Sequence, residues 1–215
     1  MKFDGILLDF DGTIADTGEG IYDSVRYAVK AMGFDPLPEE VVHTFIGPPV
    51  FSSFKRALNL SDEESAKAVE KYRESYMQGG IYRLKLYDGM ENLLKDIKKS
   101  GIKLAVASSK PESFIVEILK HLNLSDLFDF ISAPESDKAP ESKTALVERA
   151  VKTLGIEKSR AVMIGDRYFD IEGAKEASVT SIGVTFGFGD KSELITSGAD
   201  FIADSTEDIR RIIFS

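Results

Sequence analysis

LLDFDGTIADT, residues 7–17, decides how this chain is read. Ile6, Leu7 and Leu8 make a short apolar run, followed by Asp9 and Asp11 with only Phe10 between them, then Gly12 and Thr13. Such a run, ending in turn residues, reads as a buried strand. Strand alternation turns Phe10 to one face and leaves Asp9 and Asp11 side by side on the other. Two like charges so close repel, and burying either is costly unless it is paired. The rest of the chain must supply what holds them.

Downstream of residue 83 the pattern is rhythmic. Helix signals fall at 88–101, 111–123, 141–155 and 170–178, and strand-like apolar runs at 102–109, 128–133, 161–166, 180–187 and 199–204. The first helix keeps Leu93, Leu94 and Ile97 on one face and stops at Gly101 after a cationic turn. Strands alternating with helices predict a parallel sheet covered on both faces. Residues 15–82 break the rhythm. Segments 17–33, 38–47, 50–59 and 61–78 carry helical spacing, and SDEE at 61–64 is a capping-box pattern. The expected fold is therefore α/β: a Rossmann-like parallel-sheet core, residues 1–14 and 83–215, with an inserted helical-bundle cap domain at 15–82. Hinges are expected near residues 14–17 and 82–86.

Composition narrows the function classes. The 215 residues include 27 basic and 36 acidic side chains, a net charge of -9, which disfavours a nucleic acid polymer as partner. The absence of cysteine removes disulfides, thiolate metal sites and thiol nucleophiles, and suits a cytoplasmic protein. MKFDGILLDFDG does not read as a signal peptide, and no apolar run approaches the ~18 residues of a membrane span.

Ligands of open α/β sheets bind beyond the carboxyl ends of the strands. Those ends hold Asp9 and Asp11; Ser108, Ser109 and Lys110; and Asp166, with Asp170 four residues on. Lys143 opens the helix after the 128–133 strand, and Lys138 lies in the same loop. Hard carboxylate oxygens beside a hydroxyl and a lysine suit Mg²⁺ together with a phosphate. The cation would answer the repulsion between Asp9 and Asp11.

DFDGT, ASS, an active-site-type lysine and GDRYFD, in that order, resemble the haloacid dehalogenase superfamily of phosphohydrolases, in its phosphoglycolate phosphatase-like branch. The resemblance covers nearly the whole chain. It implies a Mg²⁺-dependent phosphatase acting on a small phosphate monoester, phosphoglycolate or a nucleoside monophosphate, through an aspartyl phosphate. Asp9 would be the nucleophile and Asp11 the general acid, then base. Mg²⁺ would be held by an Asp9 oxygen, the Asp11 backbone carbonyl and Asp166. Ser108 would donate to the phosphoryl oxygens, Lys143 would neutralise charge there, and Asp170 would orient the site from behind. No membrane and no obligate protein partner are implied.

Several positions keep two readings. Ser109 is a substrate contact or a cap of the helix opened by Pro111, and Asp170 also fits a helix N-cap. Lys138 competes with Lys143, because the usual KPxP pattern is replaced here by SDKAPESK. A lysine at a helix start opposes the dipole, so an anionic neighbour would explain Lys143. Arg167, where relatives commonly carry threonine, would touch substrate, cap or solvent. Arg56 is a cationic candidate for a second anionic group on the substrate, and Tyr72 and Tyr76 would stack on a base or pack. The enzyme alternative is a β-phosphoglucomutase-type phosphomutase. It is disfavoured because GEGIYD (18–23) lacks the histidine those relatives carry after the first motif.

Overall fold

The computed structural model describes residues 2–136 and 141–215. Among them, six parallel strands form one sheet in the order β5-β4-β1-β6-β7-β8. These are β1 Gly5–Leu8, β4 Lys103–Ala107, β5 Phe130–Ser132, β6 Ala161–Gly165, β7 Thr180–Val184 and β8 Phe201–Ala203. β1 pairs with β4 on one side and β6 on the other, so Leu8 lies level with both Val106 and Ile164. The chain builds outward from β1 through β4 to β5, then crosses back to β6, which makes the end of β1 the topological switch point where ligands bind.

Strand alternation divides the core in two. Leu7, Ala105, Ala107 and Met163 pack beneath Val147, Ala150, Ala174 and Ala177. Those four belong to α7 Lys143–Leu154, α8 Tyr168–Glu176 and the residue that ends α8. Ile6, Leu8, Leu104, Val106, Val162 and Ile164 face the opposite side. There they meet α5 Met90–Ser100 and α6 Glu112–His121 through Leu94, Ile97, Ile115 and Ile118. α9 Lys191–Thr196 and α10 Thr206–Phe214 follow β7 and β8.

Between β1 and α5 stand four helices, α1 Gly18–Ala31, α2 Glu39–His43, α3 Val50–Leu58 and α4 Asp62–Met77. Ile21, Val25, Ala28 and Val29 of α1 are buried, whereas Met32, at the same helical spacing, ends the helix half-buried. An aromatic series links this segment to the sheet. Phe45 meets Phe54 at 4.8 Å, Tyr72 stacks on Tyr76 at 5.4 Å, and Tyr76 meets Phe114 of α6 at 5.2 Å between ring centroids. Tyr72 and Tyr76 thus pack, both buried.

Three local readings need correction. A second pair of strands exists: β2 Ala15–Asp16 runs antiparallel to β3 Lys85–Leu86, where the helical segment leaves and rejoins the sheet. Two residues are too short to leave an alternation pattern. α2 stops at His43 instead of reaching residue 47, and the Gly47-Pro48-Pro49 turn then carries buried Phe45 and Ile46 toward β1. α8 starts at Tyr168, two residues early, because Asp170 occupies its third position and accepts the Arg167 N–H at 3.1 Å. Asp170 is therefore not the helix N-cap.

The Ser61 capping box is formed at α4. The Glu64 N–H donates to Ser61 Oγ at 3.3 Å, and the Ser61 N–H donates to Glu64 Oε2 at 2.9 Å. Ser61→Ala is expected to cost about 1 kcal/mol, a fall of roughly 2–4 °C in Tm for a chain this size. Thermal melts with activity unchanged would check it.

Candidate active site

Asp9 leaves β1 buried, and its N–H donates to the Ile164 carbonyl at 2.9 Å, which extends the sheet pairing by one residue. The chain then turns: the Ile14 N–H reaches the Phe10 carbonyl at 3.0 Å and the Gly12 N–H reaches Ala15 O at 2.9 Å. Asp11 projects from this turn. Its Oδ1 accepts from Thr17 Oγ1 at 2.7 Å and from Lys110 Nζ at 3.0 Å, and its Oδ2 accepts from Lys110 Nζ at 3.2 Å.

Lys110 was not assigned a role from the sequence. It follows Ser108 and Ser109 at the carboxyl end of β4, so its position on the rim was visible. Its partner lies 99 residues away, and no local pattern encodes that pairing. Tyr76 of α4 places its ring 5.0 Å from the Lys110 ammonium.

Lys143 is the first residue of α7, with Ser142 capping the helix by accepting the Ala145 N–H at 3.2 Å. Its side chain is buried and runs inward to three acceptors. Nζ lies 2.7 Å from Asp170 Oδ1, 3.0 Å from Asp9 Oδ1 and 3.0 Å from the Ala107 carbonyl. Lys138 lies outside the described residues. Ser108 is buried after β4, its N–H bonded to Ser132 O at 3.0 Å and its Oγ accepting the Lys110 N–H at 3.3 Å. Ser109 is half-buried on the wall of the adjoining chamber and makes no side-chain cap bond to α6.

Asp166 ends β6 fully buried. Its Oδ2 accepts the Phe188 N–H at 2.7 Å, whereas Oδ1 is buried without a hydrogen-bond partner. The glycine-rich loop after β7 is what brings that N–H in. Any side chain at Gly187 would collide with Asp166 and the Gly12 carbonyl. Asp9, Asp166 and Asp170 each offer one carboxylate oxygen within 4.8 Å of the others.

Three buried carboxylates cluster beside Lys143, which pairs with Asp9 and Asp170. Burial, and then the charges of Asp170 and Asp9, push the Asp166 carboxyl well above the usual range. Burial likewise raises Asp170, to about 6, although Lys143 beside it works the other way. Burial alone would lower the Lys143 ammonium; the Asp170 and Asp9 carboxylates outweigh it and hold it above the ordinary lysine range. With all three carboxylates ionised, the Lys143 ammonium would leave two negative charges uncompensated, and an unpartnered Asp166 oxygen lies among them. An all-oxygen donor set of this kind fits a hard divalent cation such as Mg²⁺.

Two sequence candidates lie elsewhere. Arg56 is exposed on α3 and lines none of this site. Arg167 is half-buried and engaged: Nε donates to Glu193 Oε1 at 2.9 Å and Nη1 donates to the Ile46 carbonyl at 3.2 Å. Among the described residues no helix is long and apolar enough to cross a membrane.

Comparison with known proteins gives the following. Residues 6–184 match the family model described as haloacid dehalogenase-like hydrolase. The chain is 34% identical over 194 residues to a 5'-nucleotidase of Pseudomonas aeruginosa, covering 90% of this chain and 88% of that one. It is 35% identical over 217 residues to a phosphoglycolate phosphatase of Neisseria meningitidis, covering 95% and 91%. It is also 35% identical to the tyrosine-protein kinase PtkA of Mycobacterium tuberculosis, over 86% of this chain but only 62% of that one. Among solved structures, a predicted phosphatase from Clostridium acetobutylicum superposes with a TM-score of 0.92 at 35% identity, covering 100% and 99%.

Proposed function

The chain belongs to the haloacid dehalogenase-like hydrolase family, and from that premise we propose that it is a Mg²⁺-dependent phosphatase that cleaves a small phosphate monoester through an aspartyl phosphate on Asp9. Its class is phosphoric monoester hydrolase. Phosphoglycolate and nucleoside monophosphates are the two substrate classes that the relatives' names suggest. Residues 15–82 form the cap in this reading, with the β2–β3 ribbon at its junction. A cysteine-free chain fits a cytoplasmic setting.

The carrying observation is the shared buried site of Asp9, Lys143 and the unpartnered Asp166 oxygen at the end of β1. An Asp9 oxygen attacks phosphorus as the bond from phosphorus to the ester oxygen breaks. Asp11, oriented by Thr17 and Lys110, gives its proton to the departing oxygen. It then takes a proton from the water that attacks the aspartyl phosphate, which frees inorganic phosphate and restores Asp9. Ser108 Oγ donates to a phosphoryl oxygen, and Lys143 balances charge on Asp9 and on the transferring group. Asp9, the Asp11 carbonyl and Asp166 would hold Mg²⁺, with Asp170 fixing Lys143 beside them. Bound there, the cation supplies electrostatic stabilisation of the phosphoryl oxygens.

The test is phosphate release from p-nitrophenyl phosphate with Mg²⁺ and with excess EDTA. Chelation is expected to abolish turnover, and readdition of Mg²⁺ to restore it; persistence with EDTA would sink the metal-dependent reading. A second readout needs no substrate. Burial raises the Asp170 carboxyl from its ordinary 3.8 to about 6, so the folded chain holds that proton more tightly. The contribution of this group to metal-free stability is therefore full below about 3.8 and is lost as pH rises through about 6. A bound cation offsets that loss. The Tm gap between Mg²⁺-loaded and EDTA-treated protein should widen between pH 5 and pH 7.5, by several degrees.

A further inference from the structure

A chamber of about 40 Å³ adjoins Asp11, and Asp9, Asp166 and Asp170 do not line it. Its floor is Asp11 and Lys110, and its roof is the turn at residues 45–50. Among the described residues that line it, only those two floor residues are charged. Each water-sized group needs ~10–15 Å³ by the same measure, so the chamber has room for about three. The alcohol part of a two-carbon ester fits that space, whereas a nucleoside would have to lift the roof or extend out of the chamber.

Two contacts hold the roof down. Arg167 leaves the end of β6, is anchored by Glu193 of α9, and donates from Nη1 to the Ile46 carbonyl, 121 residues earlier in the chain. Glu193 Oε1 is held in turn by the Tyr168 N–H at 2.8 Å. Next to Ile46, Gly47 takes φ +102 and lies against the Phe169 ring, so that a methyl group built on it would stand 2.6 Å from Phe169 Cζ. Arg167 and Phe169, one residue apart in the chain, therefore meet two adjacent roof residues. Arg167 itself lines none of the chamber, and its Nε and Nη1 are already engaged with protein acceptors.

We propose that Arg167 is a specificity-determining positioning residue: it latches the 45–50 turn over Asp11, and the closed chamber selects phosphate esters of short-chain alcohols against nucleoside monophosphates. This deepens, and rests on, the phosphatase reading of the same site. Selection is by size, through the position of the roof, and Arg167 acts on the roof rather than on substrate.

The experiment compares kcat/KM for 2-phosphoglycolate, ethyl phosphate and adenosine 5'-monophosphate in wild type, Arg167→Met, Arg167→Lys and Gly47→Ala, each checked for folding by thermal melt. Wild type should favour the two-carbon esters. Arg167→Met should shift the ratio toward the nucleotide by about tenfold, the factor an ordinary charge-assisted hydrogen bond controls. Gly47→Ala, whose methyl group would crowd Phe169 at 2.6 Å and come within 3.5 Å of Arg167 Nη1 while leaving the guanidinium in place, should shift it the same way. Arg167→Lys, which keeps one charged donor, should fall between. Equal losses on all three esters in both Arg167→Met and Gly47→Ala, or a wild type that prefers the nucleotide, would overturn the latch while leaving the phosphatase reading intact. No Mg²⁺-dependent phosphate release from any ester in wild type would overturn the phosphatase reading and the latch with it.

Discussion

Asp9→Asn is expected to reduce phosphate-ester turnover by at least about a thousandfold, some 4 kcal/mol of transition-state stabilisation. The side chain keeps its size and its place at the end of β1, held by the sheet bond from its N–H to Ile164 O. The amide loses the charge and the nucleophilic oxygen. Stability should move the other way. The Asp9 charge is one of the causes that raise both Asp166 and Asp170, so removing it relieves repulsion among the three buried carboxylates. Metal-free Asp9→Asn protein should therefore melt at or above the wild-type temperature, and its stabilisation by Mg²⁺ should shrink. Catalytic loss with undiminished stability separates a nucleophile from a structural residue. A variant with more than a tenth of wild-type turnover would remove Asp9 from that role.

How far the sequence shows this site depends on the distance over which each feature is encoded. The β1 run and its two aspartates are local, because a strand buried on both faces must be apolar and ligand groups gather at its carboxyl end. Lys143 is also locally visible, since a cation at the first position of a helix is unfavourable without an anion. Two carboxylates lie within 3.0 Å of it. Features made by pairing remote segments leave no such trace. Lys110 on Asp11 spans 99 residues and Arg167 on Ile46 spans 121. The β2–β3 ribbon is too short for any period to register, and Asp170 looks like an N-cap until helix α8 is seen to begin two residues before it. In each case a tertiary contact overrides a pattern that was locally reasonable.

Lys143→Met tests the other half of the charge arrangement and should have two effects. Turnover should fall by a hundredfold or more, because in the proposed mechanism the ammonium 3.0 Å from Asp9 balances charge on the transferring group. The fold should also weaken. Breaking a buried ion pair by removing one partner costs about 3–5 kcal/mol, here because Asp9 and Asp170 lose the lysine they share. That cost depends on pH with a definite sign. Lys143 is a lowering influence on Asp170, so without it the carboxyl ionises above the value of about 6 that it has beside the lysine. Near pH 5 Asp170 is then protonated in the variant and needs no cation, so the stability deficit should be small. It should grow through pH 6 to 7.5 as ionisation of the buried carboxyl is forced. Mg²⁺ should recover part of the stability and little of the turnover, since a cation among the carboxylates does not replace a donor aimed at Asp9. Lys138→Ala is the matched control, expected to keep activity within a few-fold of wild type. If instead Lys138→Ala is inactive and Lys143→Met turns over normally, the site is built around the other lysine and the assignment of Lys143 falls.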